Sequence, residues 1–378
     1  MPPSRSATRS ARLLVRLASV GLGAAFVWAC GQSVAAPTPS ASPVPSSTVP
    51  ASSVVTASPF DTASALVLPT EDEASGPPSS FKPPMPGFVV GPGRSAVPIQ
   101  AHAPGPTPPR TTVTIVAAGD IACDPTANVG TPHDCDQAAT ANLIGQIGPT
   151  AVLTLGDNQY EVNDLTAYEE VYGTTWGAYK SITYPTIGNH EYLTPGAAGY
   201  FTYFGFPPYY SFNLGDWHIV SLDSECQYVG GCSAGSPQEK WLKADLAAYP
   251  RLCTLVTWHE PRWSSGEHED AMQMATMWSD IVAANVDVVL NGHNHDYERF
   301  APLDGSGNPD PNGTTEFVVG TGGKNHYGFA EAPLTGELVR NDAAFGVLEM
   351  GLAPDGYSWK FVPAAGYKFN DSGSASCH

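Results

Sequence analysis

The stretch that decides the fold is Val286–Arg299, which reads Val-Asp-Val-Val-Leu-Asn-Gly-His-Asn-His-Asp-Tyr-Glu-Arg. Its apolar start, as far as Leu290, predicts a buried strand. The strand should end at Asn291-Gly292, because this dipeptide is a turn signal. His293 and His295 follow, so the strand would present two imidazoles from a rigid base. Taken alone, the same residues equally suit a polar loop with two surface histidines.

The composition limits the classes of function. The chain has 378 residues, enough for one large domain or two ordinary ones, and 42% of them are hydrophobic, which permits a sizeable core. Only 14% are charged and the formal net charge is −19. This balance argues against nucleic-acid binding, which needs a basic face. An anionic substrate would have to be attracted by a local field, such as that of a bound multivalent metal.

The first 36 residues predict export and are interpreted as a signal peptide with a lipoprotein box. Basic residues between Arg5 and Arg16 precede an apolar segment, 17–29, that is too short for a comfortable membrane span. Small residues then lead to Cys30, which resembles the cleavage box of a bacterial lipoprotein. Lipidated Cys30 would attach the protein to a membrane as a cell-surface lipoprotein. The alternative is cleavage near Ala35, which would release a secreted protein.

Seven cysteines in an exported chain suggest disulfides. If Cys30 is lipidated, six remain. The short spacings favour Cys123–Cys135 and Cys226–Cys232, which leaves Cys253–Cys377 to tie the C-terminus to a core strand. Six cysteines can pair in many ways, so this connectivity is a hypothesis.

The amino-acid composition and the pattern of apolar residues change at residue 111. Residues 37–110 hold 18 of the 36 prolines, with Ser, Thr and Ala between them, and predict an extended, disordered tether. Residues 111–378 alternate strand and helix signals and are interpreted as the catalytic domain. The predicted strands are 112–118, 150–155, 182–187, 218–222, 252–258, 286–290, 316–319, 345–350 and 357–362. The predicted helices are 137–147, 164–179, 237–248 and 269–284.

The same event recurs along this domain: an apolar strand stops, often at a glycine, and presents a polar side chain. The residues at such stops are Asp120, Asp157, Asn189, His259, His293 and His295. Sites in open α/β folds form beyond the carboxyl ends of strands, and these residue types are metal ligands. Each carboxylate taken singly suits a turn or cap. The set as a whole predicts a metal site.

Five sequence blocks in order resemble the calcineurin-like binuclear metallophosphoesterase superfamily. The blocks are Gly119-Asp120, Gly156-Asp157-Asn158-Gln159-Tyr160, Gly188-Asn189-His190-Glu191, Val256-Thr257-Trp258-His259 and Gly292-His293-Asn294-His295. The resemblance implies an α/β protein with the four-layer α/β/β/α sandwich of that superfamily. It also implies a binuclear metal centre.

One departure selects the purple acid phosphatase-like branch. Most of the superfamily begins with Asp-x-His, but Ala122 stands two residues after Asp120. Tyr160 fits as the replacement ligand, as in purple acid phosphatases, and its phenolate suits Fe(III) paired with a divalent Fe, Zn or Mn ion. The resemblance implies two ligand sets that share one residue. The first metal would take Asp120, Asp157, Tyr160 and His295, and the second Asp157, Asn189, His259 and His293.

The resemblance further implies hydrolysis of phosphate monoesters by a metal-bridged hydroxide. His190 matches the histidine that assists the leaving group. His268 resembles a second histidine that contacts phosphate, although a solvent histidine at a helix start suits it equally. Glu191 would orient an imidazole or lie on the surface. Lys324 is a weak candidate for phosphate contact, and His326 would line the substrate side.

Two rival functions stay open at this point. The same centre would serve a phosphodiesterase or nucleotide hydrolase, and a surface binding protein could keep a structural metal site. The expected partner is a small-molecule phosphoester, with no nucleic acid. The oligomeric state does not follow from the sequence.

Overall fold

The computed structural model describes residues 111–123, 135–250, 253–268 and 270–378, together with the backbone of two short strands. These strands are β1 (Phe88–Val90) and β2 (Ala96–Pro98). The predicted signal region, Cys30 and most of the predicted tether lie outside the described residues. Within the described part, no helix is long and apolar enough to cross a membrane.

As far as Asp287 the remaining elements largely alternate strand and helix, as predicted, and from Val288 to Ser376 the elements are all strands. The strands are β3 (Val113–Ala118), β4 (Ala151–Leu155), β5 (Thr183–Thr186), β6 (Tyr210–Leu214), β7 (Trp217–Ser221), β8 (Cys253–Thr257), β9 (Val288–Asn291), β10 (Tyr297–Phe300), β11 (Thr315–Val319), β12 (Glu337–Asn341), β13 (Gly346–Ala353), β14 (Gly356–Pro363) and β15 (Ser372–Ser376). The helices are α1 (Gln137–Ile147), α2 (Leu165–Glu170), α3 (Asn189–Leu193), α4 (Ala198–Phe204), α5 (Pro237–Ala248) and α6 (Ala275–Ala283).

The strands form two mixed sheets. One has six strands in the order β15-β14-β13-β3-β4-β5, and the other has nine in the order β12-β10-β11-β9-β8-β7-β6-β1-β2. β3, β4 and β5 run parallel, as do β7, β8, β9 and β11. Their carboxyl ends therefore share one edge of each sheet, which is where α/β folds place their sites.

Two hydrophobic cores explain why the central strands are apolar on both faces. Leu255 and Leu290 belong to a core that also contains strands of the six-stranded sheet, so this core lies between the sheets. Val256 and Val289 belong to a second core with α5 and α6. Because β8 and β9 are covered on both sides, they read as continuous apolar runs. The two sheets flanked by helices confirm the predicted metallophosphoesterase fold class.

The helix predicted over 164–179 is wrong in extent. α2 ends at Glu170, and short 3-10 turns follow at Tyr172–Thr174 and Trp176–Ile182. The hydroxyl of Thr174 bonds the carbonyls of residues 170 and 171, and that of Thr175 bonds those of 171 and 172. Such side-chain bonds to the backbone compete with a regular helix. The helix predicted from residue 269 likewise begins only at Ala275, after a 3-10 turn.

Local sequence signals explain parts of two other elements. β5 tolerates Pro185 because it is the edge strand of its sheet and does not need that N–H. α5 begins as predicted, with Pro237 in its first turn and the Ser236 hydroxyl accepting from the Glu239 amide at 3.3 Å. The Glu239 carboxylate reaches back to the amide of Gly235 and not to that of Ser236.

The three predicted disulfides are confirmed. Cys123 pairs with Cys135, Cys226 with Cys232 and Cys253 with Cys377, with Cα–Cα distances of 5.6, 5.3 and 5.4 Å. The third bridge joins β8 to the C-terminal segment, as expected. The first lies three residues beyond Asp120, at the end of β3.

Candidate metal centre

Three donor side chains meet around the phenol oxygen of Tyr160, which is the fourth donor of the group. This oxygen lies 2.8 Å from Oδ1 of Asp120, 2.7 Å from Oδ2 of Asp157 and 3.1 Å from Nε2 of His295. Nε2 of His295 is also 3.3 Å from Oδ1 of Asp120. All four residues are buried, at 2% exposure or less. Together they are the set predicted for the first metal.

A second group of donor atoms lies near Oδ1 of Asp157, the carboxylate oxygen that does not contact Tyr160. Nε2 of His259 lies 3.3 Å from Oδ1 of Asp157 and 3.1 Å from Oδ1 of Asn189. Ligand atoms of Asp120, Asp157 and His259 all lie within 4.8 Å of one another. Asp157 therefore faces both groups, one with each oxygen.

His293 borders the second group. Its backbone amide donates to Oδ2 of Asp120 at 2.8 Å. Its ring centroid lies 5.0 Å from that of His259 and 4.4 Å from that of His268. The structure thus brings together all seven residues that the sequence pattern selected.

Hydrogen bonds at the far side of two rings set the tautomers. Nδ1 of His259 lies 2.8 Å from the carbonyl oxygen of Leu155, and Nδ1 of His295 lies 2.5 Å from that of Asn325. A carbonyl only accepts, so Nδ1 carries the proton in each ring. When these rings are neutral, Nε2 would turn its lone pair toward the cluster, as in histidines that bind metals.

The backbone is strained where the donors sit. Asp120, Asp157 and His293 have φ angles of 58°, 47° and 71°. Of the described non-glycine residues only five have positive φ, and three of them are these. Such conformations cost about 1–3 kcal/mol each and cluster at functional sites. The strain turns each side chain sharply at the end of its strand.

Glycines of the motif blocks make room for the donors. A Cβ on Gly156 would lie 2.3 Å from Nδ1 of His259, and φ at Gly156 is 92°. A Cβ on Gly292 would lie 2.5 Å from Oδ2 of Asp120. These glycines are needed because backbone and ligand side chains approach within contact distance.

Burial and neighbouring charges shift the pKa values of Asp157 and Tyr160. Burial opposes the ionisation of Asp157, but the nearby His259 and His190 outweigh burial and hold its pKa well below the usual range. Burial, followed by the carboxylates of Asp120 and Asp157, raises the pKa of Tyr160 well above its usual value. A metal cation against the phenol oxygen would reverse the sign of that local field.

The donor chemistry fits a pair of metal ions. Two carboxylates, a phenol, an amide oxygen and imidazole nitrogens are hard-to-borderline ligands. They converge in two groups, in which neighbouring donor atoms lie 2.7 to 3.3 Å apart. A buried arrangement with this much negative charge is costly without a cation to neutralise it.

Glu191 occupies neither of the two positions expected for it, which were beside an imidazole or on the surface. It is fully buried and contacts no imidazole in the hydrogen bonds of the described residues. Its carboxylate accepts from the backbone amides of Gly188, Asn158 and Asp157 at 2.7, 2.8 and 3.1 Å. Burial and the Asp157 charge raise its pKa to about 7. Glu191 holds the Asp157 loop in place.

The two histidines predicted for catalysis border the cluster on different sides. Nε2 of His190 lies 3.9 Å from Oδ2 of Asp157, and its ring centroid is 4.4 Å from that of Tyr160. His268 is half-buried, with its ring against that of His293. It precedes α6 by several residues, so the interpretation as a helix-start histidine is wrong.

Lys324 and His326 both have partners within the protein. The ammonium of Lys324 pairs with Glu161 and lies 4.9 Å from the centroid of the Tyr160 ring, so its charge is already compensated. Nδ1 of His326 bonds the carbonyl of His295 while its ring stacks on Phe345. His326 therefore supports the His295 backbone, and its place on the substrate side stays a prediction.

Sequence reasoning missed three residues at this site. Tyr327 stacks on the His295 ring, with centroids 4.1 Å apart and planes 17° from parallel. Glu161 contacts both Lys324 and His190. Asn294 lies between two ligand candidates and bonds a separate loop. Only Asn294, which is inside a motif block, carried a signal in the sequence.

Part of the chain matches a known protein family. Residues 113–297 match the family model of the calcineurin-like phosphoesterases. Purple acid phosphatase 18 of Arabidopsis thaliana is 35% identical over 147 residues, which are 36% of this chain and 32% of that protein. Phosphoenolpyruvate phosphatase of Allium cepa is 28% identical over 258 residues, 52% of this chain and 51% of that protein. The chain spans about a third of the length of the first of these relatives and half of the second.

Solved structures share the fold. Purple acid phosphatase PPD1 from yellow lupin (Lupinus luteus) aligns with a TM-score of 0.57 at 19% identity, over 72% of this chain and 55% of that one. GAP50, the anchor in the inner membrane complex of Plasmodium, aligns with a TM-score of 0.56 at 16% identity, over 71% and 90%. Residues 113–297 of this chain therefore form a calcineurin-like phosphoesterase domain with purple acid phosphatase homologues.

Proposed function

We propose that this domain hydrolyses phosphate monoesters at a binuclear metal centre. The observation that carries the proposal is the placement of Asp157, whose two oxygens face two separate groups of donors. A purely structural metal site would not need a second group. The family membership and the purple acid phosphatase relatives support the same reaction class.

We propose the ligand sets given by the motifs, with Asp157 shared. Asp120, Tyr160 and His295 would complete the first site, and Asn189, His259 and His293 the second. When bound, two such ions orient the phosphate, withdraw charge from its oxygens and make a water-derived nucleophile available near neutral pH. The phenol of Tyr160 favours Fe(III) in the first site, with a divalent ion in the second.

The remaining roles belong to side chains of this chain. His190 lies against the bridging carboxylate, so it can hold the proton that the leaving alkoxide takes up. His268 lies beside His293 and can donate a hydrogen bond to a phosphate oxygen. Tyr327 stacks on His295 and restrains that ring. Burial of the donor groups excludes bulk water and strengthens their electrostatic effect.

We also propose export, with attachment through lipidated Cys30 or secretion after cleavage near Ala35. The basic and apolar pattern of the first residues supports export, and the three disulfides are consistent with an oxidising compartment. Mass spectrometry of the mature N-terminus distinguishes the two routes: a diacylglyceryl cysteine supports the anchor, and an unmodified residue near 36 supports secretion.

The test of the function combines metal analysis with paired substrates. Purified protein is assayed with p-nitrophenyl phosphate and bis(p-nitrophenyl) phosphate, and its metal content is measured on the same sample. Two metals per chain with faster monoester turnover support the proposal. Faster diester turnover would establish a phosphodiesterase in its place. Metal content without turnover of either ester would favour a binding protein.

A further inference from the structure

Asn294 stands between the ligand candidates His293 and His295, yet its side chain serves a different part of the chain. It is fully buried. Its Oδ1 accepts from the backbone amide of His268 at 2.9 Å, and its Nδ2 lies 2.7 Å from Oγ of Ser264 and 3.3 Å from the carbonyl of His268. The whole amide group of Asn294 is therefore engaged by the segment 264–268.

This segment is shaped to receive the amide. The amide of Gly266 donates to Oγ of Ser264 at 3.0 Å, which folds the segment back on itself. A Cβ on Gly266 would lie 2.3 Å from Cγ of Asn294, so only glycine permits the observed approach. On another side the segment borders an open cavity of about 440 Å³. Elsewhere the Glu298 carboxylate accepts from the Ser265 amide at 2.8 Å and from the hydroxyls of Ser264 and Ser265, which holds the start of the segment. At its other end, the His268 backbone bonds the Asn294 amide group through both its N–H and its carbonyl.

Through these bonds, Asn294 connects the backbone of His268 to the backbone of His293. His293 is the chain neighbour of Asn294, and His268 is held by it through two backbone contacts. The two rings lie 4.4 Å apart at an angle of 34°. One side chain thus sets where the His268 ring stands relative to the metal-ligand loop.

We propose that Asn294 is a positioning residue that holds His268 at the phosphate-binding face of the metal centre. The inference rests on the proposed function, because it assigns His268 to substrate phosphate. Asn294 itself binds no substrate or metal. It couples the segment 264–268 to the loop that carries His293 and His295, so both move as one unit.

The test uses the purified full-length protein with Asn294→Ala, His268→Ala, the double variant and Asn312→Ala. Asn312 is an exposed asparagine that bonds Asp310 in its own turn, and it serves as the matched control. Asn294→Ala should lower kcat/KM for p-nitrophenyl phosphate by about tenfold to a hundredfold, the range seen for residues that orient groups at metal centres. Inhibition by inorganic phosphate should weaken to the same extent as in His268→Ala, with unchanged metal content.

Non-additivity separates positioning from general damage. If Asn294 acts through His268, the double variant should be no slower than His268→Ala alone. Additive losses would overturn the proposal, as would an Asn294→Ala variant with normal phosphate inhibition. Gly266→Ala, which displaces the same contact from the other side, should reproduce the Asn294→Ala pattern. Asn294→Asp keeps an acceptor for the His268 amide and should recover part of the activity.

A measurement without turnover keeps this inference distinct from the proposed function. Amide hydrogen exchange of 264–268 should accelerate in Asn294→Ala and stay unchanged in Asn312→Ala, in metal-stripped protein as well as loaded protein. Unchanged exchange in Asn294→Ala would overturn the positioning role. A wild-type protein that turns over no phosphoester would overturn the proposed function, while the exchange result would still decide whether Asn294 holds the segment.

Discussion

The phenol oxygen of Tyr160 lies 2.8 Å from Oδ1 of Asp120, although forty residues separate them in the chain. Ala122 is the reason this contact is possible. It is fully buried and forms an isolated parallel bridge with Gln159, which brings Tyr160 alongside the end of β3. Ala122 thus helps to place the Tyr160 hydroxyl beside Asp120.

Tyr160→Phe removes one of four donors from the first group and leaves the ring in place. We expect the protein to remain folded, because the lost hydroxyl meets only cluster residues in the hydrogen bonds of the described part. Any visible absorption from an Fe(III)–phenolate centre should disappear. Absorption spectra and metal analysis of both proteins provide the measurement, and Tyr209→Phe, a buried tyrosine of the second core, is the control.

An unchanged visible band in Tyr160→Phe would mean that this phenol is not a ligand. A colourless wild-type protein with two metals would keep a hydrolase centre but remove the reason for Fe(III) in the first site.

Glu191→Gln should weaken the Asp157 loop. The Glu191 carboxylate accepts hydrogen bonds from three backbone N–H groups and from the hydroxyl of Tyr168. A glutamine side chain would place its own N–H groups against some of these hydrogen-bond donors. We expect a loss of about 2–3 kcal/mol in the free energy of unfolding. Metal content should fall as well, because the Asp157 amide is one of the bonded groups. Urea unfolding gives the first quantity and metal analysis the second.

Glu170→Gln, at an exposed carboxylate, controls for the general effect of removing a charge. If Glu191→Gln unfolds at the same urea concentration as Glu170→Gln and keeps its metal, the loop does not depend on this carboxylate.

Asp371 should make the free energy of unfolding depend on pH in the acidic range. Burial raises the pKa of its carboxyl, but the guanidinium of Arg299 and the hydroxyl of Tyr297 outweigh burial and hold the pKa below the ordinary value of 3.8. A pKa lower in the folded state than in the unfolded state adds stability above about pH 4, and this is lost as pH falls through the folded pKa.

Asp371→Asn should therefore cost about 2 kcal/mol at pH 7 and progressively less as the pH falls below 4. Urea unfolding at several pH values measures this, with Asp355→Asn at an exposed turn as the control. A cost that is the same at pH 7 and pH 2 would contradict the assignment to ionised Asp371.

The Cys253–Cys377 bridge should contribute more stability than Cys226–Cys232. The two bridges span 124 and 6 residues along the chain. From loop-closure entropy alone, the longer bridge should raise the free energy of the unfolded chain by about 2–3 kcal/mol more than the shorter bridge does. Thermal unfolding of the two paired Cys→Ser variants tests this difference. Equal losses would show that local packing of the bridges outweighs their loop lengths.

The sequence by itself determined the strand ends and the donors that they present. Apolar runs buried on both faces have a recognisable pattern, and they stop where the backbone turns, so Asp120, Asp157 and His293 could be selected from local signals alone. The same locality explains the cap of α5 and the fold class. These features depend on residues close together in the chain.

The tertiary structure decided how side chains of distant segments pair. Glu191 could have faced an imidazole or solvent, and only packing against the Asp157 loop shows that it binds backbone amides. Lys324 meets Glu161 across 163 positions, and Asn294 meets His268 across 26. Such pairings leave no periodic trace in the sequence, because they depend on how the chain is brought together in space and not on the conformation of any one segment.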